Sequence, residues 1–305
     1  MLVESLSKTL LLEEIYISTV AKTASRRYKM FLIDRKNGTK KRKIYHPSTE
    51  LKAIQRMIND DFLEKLPVHP CATAYLKGSN ITDNVLPHKN NKYLLRLDFN
   101  DFFESISKTD VDAFVDENFP NYFNGWCAAD TKVLSNLVCF NQRLTIGSVT
   151  SPNLANILCY ELDALIDALC GLNKITYTRY ADDMFFSTNE NGLLFSLPKS
   201  IKSILKTIKV PKKLRLNNKK TVHSSRKRKM SVTGLIITND KEISIGRDKK
   251  RKTKSSVYNW NNLSVKDKKY LSGYLSYIKS VEPEFINKLC EKYGSTRIVE
   301  IMKYI

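Results

Sequence analysis

The chain has 305 residues, 42% hydrophobic and 10% aromatic, enough for one or two packed cores and too apolar for a disordered polymer. Its 51 Lys and Arg against 31 Asp and Glu leave a formal charge of +20. Such an excess draws polyanions by displacing their counterions, so nucleic acid is the expected partner, and the rival membrane-surface reading lacks an amphipathic surface helix, a lipidation signal or a spanning stretch.

From the N-terminus, Glu4, Glu13 and Glu14 surround short apolar pieces such as Leu10-Leu11-Leu12, which is unlike a secretory signal. A basic stretch runs from Arg35 to Lys43. Residues 51–66 place Leu51, Ile54, Ile58, Phe62, Leu63 and Leu66 at helical spacing. Residues 93–98 (YLLRLD) read as a buried strand ending in an acid. Ser151-Pro152 opens a predicted helix to residue 169, with Leu154, Ile157, Leu158, Leu162, Leu165 and Leu169 as its stripe. The segment 175–188 (ITYTRYADDMFFST) is β-branched and aromatic on both sides of Ala181-Asp182-Asp183, the pattern of a hairpin with acids at its turn. Two further basic clusters span Lys212 to Lys229 and Arg247 to Lys254. Helices are expected again over Tyr270–Ser280 and Pro283–Tyr293, near Tyr258, Trp260, Tyr274 and Tyr277. No linker or repeat divides the chain. Cysteines at 71, 127, 139, 159, 170 and 290 form no C-x-x-C pair, which suits a reducing cytoplasm. His46, His69, His88 and His223 lack a paired zinc spacing.

The acids carry the chemistry. Asp98 closes a predicted strand, and Asp182-Asp183 sits at a predicted hairpin tip some eighty residues later. Adjacent carboxylates in an apolar setting raise each other's pKa unless a cation neutralises them, and hard oxygen ligands suit Mg²⁺. Two such ions can activate a primer hydroxyl and steady a leaving pyrophosphate, with no covalent nucleophile. A bare Asp-Asp could instead cap an ordinary turn.

The surrounding residues decide between these readings. Tyr180-Ala181-Asp182-Asp183, preceded by Thr178-Arg179, resembles the YxDD motif of reverse transcriptases. Leu97-Asp98-Phe99-Asn100-Asp101-Phe102-Phe103 resembles the motif supplying the first metal-binding Asp, with Phe103 at the aromatic gate that rejects a 2′-OH. Gly147 to Asn156 (GSVTSPNLAN), Asn217 to Thr221 (NNKKT) and Arg42 to Ser48 (RKIYHPS) are similar to three further segments of that family. The resemblance implies that Asp98, Asp182, Asp183 and the Phe99 backbone carbonyl bind two Mg²⁺, for which Mn²⁺ can substitute. It also implies that Arg42, Lys43, Phe103, Gly147 and Lys220 meet the incoming dNTP.

Within that family, Asn84-Val85-Leu86-Pro87-His88 resembles the N-A-x-x-H signature of retron enzymes, and Val232-Thr233-Gly234 their V-T-G triplet. Ile245-Gly246-Arg247 and the run from Gly273 to Val281 agree, and the match extends from about residue 26 to 295. Val85 replaces the usual Ala, and Ile146 stands where the family has Gln. The implied fold is α+β, a right-hand polymerase with fingers (1–92), palm (93–235, an antiparallel sheet covered by helices) and thumb (236–305). The implied activity is copying of a cognate structured non-coding RNA into multicopy single-stranded DNA. That synthesis is primed from a guanosine 2′-OH, within an anti-phage defence system that has a separate effector. RNA contacts are expected from Asn84, His88, Val232, Thr233, Gly234, Arg247, Lys249, Lys250, Arg251, Lys252 and Lys254. Two other readings stay open: an abortive-infection enzyme making untemplated DNA, and a non-catalytic RNA-binding relic.

Overall fold

The computed structural model describes residues 1–34 and 41–304. Residues 35–40, with which the first basic cluster begins, lie outside the described residues. Two short helices open the chain, α1 (Leu2–Leu10) and α2 (Glu14–Thr23), and bury Leu2, Leu6, Ile17 and Val20 as single stripes. A hairpin follows, β1 (Tyr28–Asp34) and β2 (Lys41–Pro47), with Tyr28 opposite Pro47. Helix α3 (Thr49–Asp61) begins where the Ser48 hydroxyl accepts the Leu51 N–H. It buries the predicted Leu51, Ile54 and Ile58, and a separate 3₁₀ turn over Leu63–Lys65 ends the segment.

The centre of the molecule is built on β3 (Tyr93–Asp98), followed by helices α4 (Lys108–Asn118) and α5 (Ala128–Val138). The predicted helix 151–169 is in fact two, α6 (Ser151–Leu158) and α7 (Tyr160–Leu172). At Cys159 ψ rises to 4°, so the axis breaks. The stripe rotates with it and leaves Leu165 41% exposed. Neither Pro nor Gly marks this break. The predicted hairpin follows as β4 (Thr176–Tyr180) and β5 (Asp183–Thr188), then α8 (Leu197–Thr207) and β6 (Val222–Ser225). These four strands form one antiparallel sheet in the order β4-β5-β3-β6.

Side chains alternate across this sheet. Leu95, Leu97, Met184 and Phe186 join the larger core, which includes the helices from α1 to α8. Leu94 and Phe185 point the other way, into a second core that continues to the C-terminus. That second core holds a small sheet of β7 (Met230–Val232), β8 (Leu235–Ile237) and β9 (Ile243–Ser244). Thr233 (φ 46°) and Gly234 (φ 82°) make the tight β7–β8 turn, whose positive φ values match the strand twist. Four helices complete the chain: α9 (Arg247–Tyr258), α10 (Val265–Val281), α11 (Pro283–Tyr293) and α12 (Ser295–Met302). The third basic cluster is therefore a helix with Thr253 and Val257 buried and most of its cations outside. No helix among the described residues is long and apolar enough to cross a membrane.

Candidate active site

The register of β3 on β5 sets Asp98 directly opposite Asp183. The Phe99 N–H donates to the Asp182 carbonyl at 3.1 Å, which brings the third acid to the same sheet end. Ala181 sits at the hairpin tip with φ 56°, a left-handed conformation that a non-glycine residue adopts only when its surroundings hold it.

Arg179 is what holds it. The side chain is fully buried, its Nε donates to Asp163 Oδ1 at 2.8 Å, and its Nη2 pairs with Oδ2 of the same carboxylate. Its Nη1 donates to the Ala181 carbonyl and to Asn156 Oδ1, each at 3.1 Å. Asn156 in turn donates to the Ala74 carbonyl at 2.8 Å, and Tyr177 donates to Asp163. The break at Cys159 sets Asp163 on a helix directed at this guanidinium. The sequence named Arg179 and Asn156 only as motif letters and missed Asp163 altogether. A buried Arg is legible only once its carboxylate is known.

Burial raises the Asp182 carboxyl, and the charge of Asp98 adds to the shift. Asp183 is pushed up to about 6, first by burial and then by Asp182. Asp98 accepts from Lys220 Nζ at 2.8 Å and from Asn217 Nδ2 at 3.3 Å. Lys220 is thus paired with an acid at the edge of a cavity. Among the described residues no three acid, His or Cys side chains close into a ready metal cage. The donor chemistry nonetheless fits a hard divalent cation, because three carboxylate side chains converge and two of them resist ionising together.

A cavity of about 560 Å³ opens beside the acids, lined by Asp182, Phe99, Phe103, Arg42, Lys43 and Lys220 among others. Both adjacent phenylalanines line the cavity, but they differ in exposure. Phe102 is buried and stacks on Phe99 at 5.7 Å, whereas the half-buried Phe103 lies across from Tyr75, at 6.4 Å between ring centroids. Tyr75, half exposed at φ 67°, carried no signal in the sequence. Ile146 lines the cavity where the family has Gln, and its carbonyl accepts the Tyr45 N–H at 2.9 Å.

Gly147, next to the cavity-lining Ile146, has a packing role against β2. It has φ +105°, and a Cβ there would lie 2.5 Å from the Tyr45 carbonyl oxygen and 2.7 Å from Ile44 Cγ2. Only glycine lets β2 lie this close, which carries Arg42 and Lys43 over the cavity. Gly147→Ala is therefore expected to lower kcat/KM by roughly 10²-fold, the scale set by ångström misplacement. Steady-state kinetics on a primed RNA checks this; an unchanged kcat/KM overturns it.

Several expected RNA contacts change character. Asn84 and His88 are fully buried under the central sheet. The His88 ring nitrogens lie 2.7 Å from Ser187 Oγ and 2.8 Å from Thr178 Oγ1, and Asn84 accepts from Thr73. His88 braces β4 and β5 on the sheet face that also carries Asp183, and neither side chain reaches the surface. The Val232 side chain is likewise buried. Lys250 pairs with Glu282 and lies over the Phe285 ring, so its charge is already answered. Lys249 donates to the Gly234 carbonyl at 3.1 Å, which joins α9 to the 233–234 turn. Arg247, Arg251, Lys252 and Lys254 stay on the surface of α9.

Burial pushes the His88 imidazole down to about 3. The folded pKa lies below the unfolded value near 6.5, so the unfolded chain binds the extra proton between those limits, and stability falls as pH drops below about 6.5. The loss should approach about 1.4 kcal/mol per pH unit down to about pH 4. Denaturant titrations of the parent and His88→Gln between pH 4 and 7 test this. Parallel curves would exclude His88 as the origin of acid lability.

Residues 34–237 match the family described as reverse transcriptase (RNA-dependent DNA polymerase). The chain is 35% identical to the retron Ec83 reverse transcriptase of Escherichia coli over 274 residues, covering 86% of this chain and 85% of that one. It is 36% identical to the E. coli retron Ec73 reverse transcriptase over 262 residues, covering 83% of each. A Candida albicans telomerase structure in complex with a telomeric RNA fragment aligns with a TM-score of 0.49 at 14% identity, over 96% of this chain and 59% of that chain. The family match spans the sheet, the acid-bearing hairpin and the cavity, and the chain belongs to the retron reverse transcriptases, RNA-directed DNA polymerases with the right-hand fold.

Proposed function

We propose that this enzyme copies a cognate structured non-coding RNA into multicopy single-stranded DNA, primed from the 2′-OH of a guanosine in that RNA. The observation that carries the catalytic part is the β3–β5 register, which aligns Asp98 with Asp183 beside Asp182 at the wall of a cavity bearing Arg42, Phe103 and Lys220. Asp98, Asp182, Asp183 and the Phe99 carbonyl would hold two Mg²⁺, with Mn²⁺ as a substitute. The ions supply charge neutralisation for the transferred phosphoryl group when bound. Arg42 and Lys43 grip the triphosphate, and Lys220 turns from Asp98 towards it. Phe103 presses on the sugar and excludes a 2′-OH, so dNTPs are the substrates. The attacking hydroxyl forms a bond to the α-phosphorus as pyrophosphate leaves, and positioning with charge neutralisation is the main work of the site.

The division of labour follows the hand: fingers over 1–92, palm over 93–235 and thumb over 236–305. Thr233, Gly234 and the outward cations of α9 (Arg247, Arg251, Lys252, Lys254), which Lys249 ties to that turn, form the surface for the cognate RNA. Shape, phosphate and 2′-OH contacts dominate such recognition. The setting is an anti-phage system with a separately encoded effector. The six cysteines are free thiols, which fits the reducing cytoplasm.

The test is to incubate the protein with the transcript of its own locus, dNTPs and Mg²⁺. Labelled DNA should remain joined to one RNA nucleotide through a 2′–5′ bond after RNase treatment. DNA with a free 5′ end would overturn the priming proposal.

A further inference from the structure

A second cavity lies far from the acids. Its volume is about 230 Å³, and it is lined by Tyr93, Leu194, Phe195, His223, Arg228 and Glu190 among others. Tyr93 and Asp98 bound β3, so the two sites stand about 17 Å apart along one strand. They also face opposite ways. His223 pairs with Leu95, and directly opposed residues share a sheet face. Leu95 belongs to the helix-covered side, whereas Asp98 alternates to the other. The cavity is therefore outside the catalytic cleft, at the β6 edge of the sheet.

Three observations indicate what it takes. Phe195 is 71% exposed, and its ring lies against that of His223 at 5.0 Å with the planes tilted by 32°, an aromatic pair open to solvent. β6 is an edge strand of the sheet, with β3 its only partner strand among the described residues. The basic turn Arg226 to Lys229 follows directly. Arg226 clamps it by donating to the carbonyls of Asn91 (3.0 Å), Thr238 (3.3 Å) and Asn239 (3.1 Å). Lys227, Arg228 and Lys229 are exposed, and none of them forms an ion pair among the described residues.

An exposed aromatic pair beside unpaired cations suits a base with its phosphate, since stacking accepts any base and the cations track the backbone. The cavity is smaller than the roughly 300–1,000 Å³ of enclosed small-molecule sites, so it fits one flat ring entering from a strand and not a whole cofactor. The occupant is RNA because this RNA-directed enzyme must hold an RNA before any DNA exists. We infer that the Phe195–His223 pair and the Lys227–Lys229 turn bind an unpaired nucleotide of the RNA outside the catalytic cleft, where the strand rounds the open edge of the palm.

The test uses the full chain without dNTPs and an unstructured RNA 20-mer carrying 4-thiouridine. Irradiation should crosslink the RNA to a peptide containing Phe195 or His223. Phe195→Ala should weaken capture at that peptide roughly 5- to 100-fold, the range expected from one stacked base, while Phe195→Tyr should restore it. Replacing Lys227, Arg228 and Lys229 with Ala should reduce the salt slope of RNA binding by about 2, since three phosphate contacts count about 0.7 each on single strands. The inference is overturned if crosslinks map only to the cleft, if the matching DNA 20-mer captures equally well, or if millimolar GMP displaces the crosslink. The polymerase-dead Asp182→Asn, Asp183→Asn protein should give the same crosslink as the parent, so failure here is separable from failure of the active-site assignment.

Discussion

A chain carrying Asp182→Asn and Asp183→Asn folds as the parent does and extends a primed RNA template at least about 10³-fold more slowly. Metal-held charge supplies several kcal/mol to the transition state, and each 1.36 kcal/mol is a factor of ten. Loss of folding is excluded by the sign of the electrostatics. The Asp183 carboxyl is raised to about 6 by burial and by Asp182. A carboxyl whose folded pKa exceeds its unfolded value stabilises the fold when protonated, and that contribution is lost as pH rises through about 6. Without cations, the neutral amides should therefore match or exceed the parent in melting temperature at pH 8, and the gap should close towards pH 4. Equal synthesis by parent and variant would remove Asp182 and Asp183 from the mechanism.

The second large effect lies behind the site. Asp163→Ala should destabilise the protein by about 3–5 kcal/mol, because it strands the Arg179 charge in a fully buried position. That is a large share of a typical total of about 5–15 kcal/mol. Asp163→Leu combined with Arg179→Met should recover most of the stability, since well-packed apolar pairs commonly replace buried ion pairs at little cost. It should not recover activity, because no donor then holds the Ala181 carbonyl and the adjacent acids lose their fixed tip. Melting curves and kcat measured on the same two proteins separate the roles. Full activity in the double variant would reduce Arg179 to a packing element.

The parts of the molecule that were legible in the sequence are those governed by short-range periodicity. The β3 strand and the β4–β5 hairpin followed from apolar runs ending in acids, and the approach of Asp98 to Asp183 follows once those strands pair. Helix α3 was legible for the same reason. The break at Cys159 was not, because no Pro or Gly marks it and the apolar stripe continues through it. Asn84 and His88 show the limit of motif reading. A polar signature suggests a surface, yet both residues are interior: the sheet hydroxyls of Thr178 and Ser187 meet His88, and Asn84 accepts from Thr73 while its Nδ2 is left without a partner. Arg179 was named only as part of a motif in a chain with 51 Lys and Arg, since only tertiary contact distinguishes a buried guanidinium from a phosphate-seeking one.

The alternation of β3 and β5 between two cores has a consequence for quality control. Sliding β3 by one residue against β5 would turn Leu94 and Leu95 to each other's sides, leave both oily compartments lined with the wrong groups, and part Asp98 from Asp183 in the same movement. Misaligned yet sturdy copies have no basin to occupy. A molecule that survives folding is one whose acids already face each other, so each intact protein emerges with its catalytic alignment already checked by its own packing.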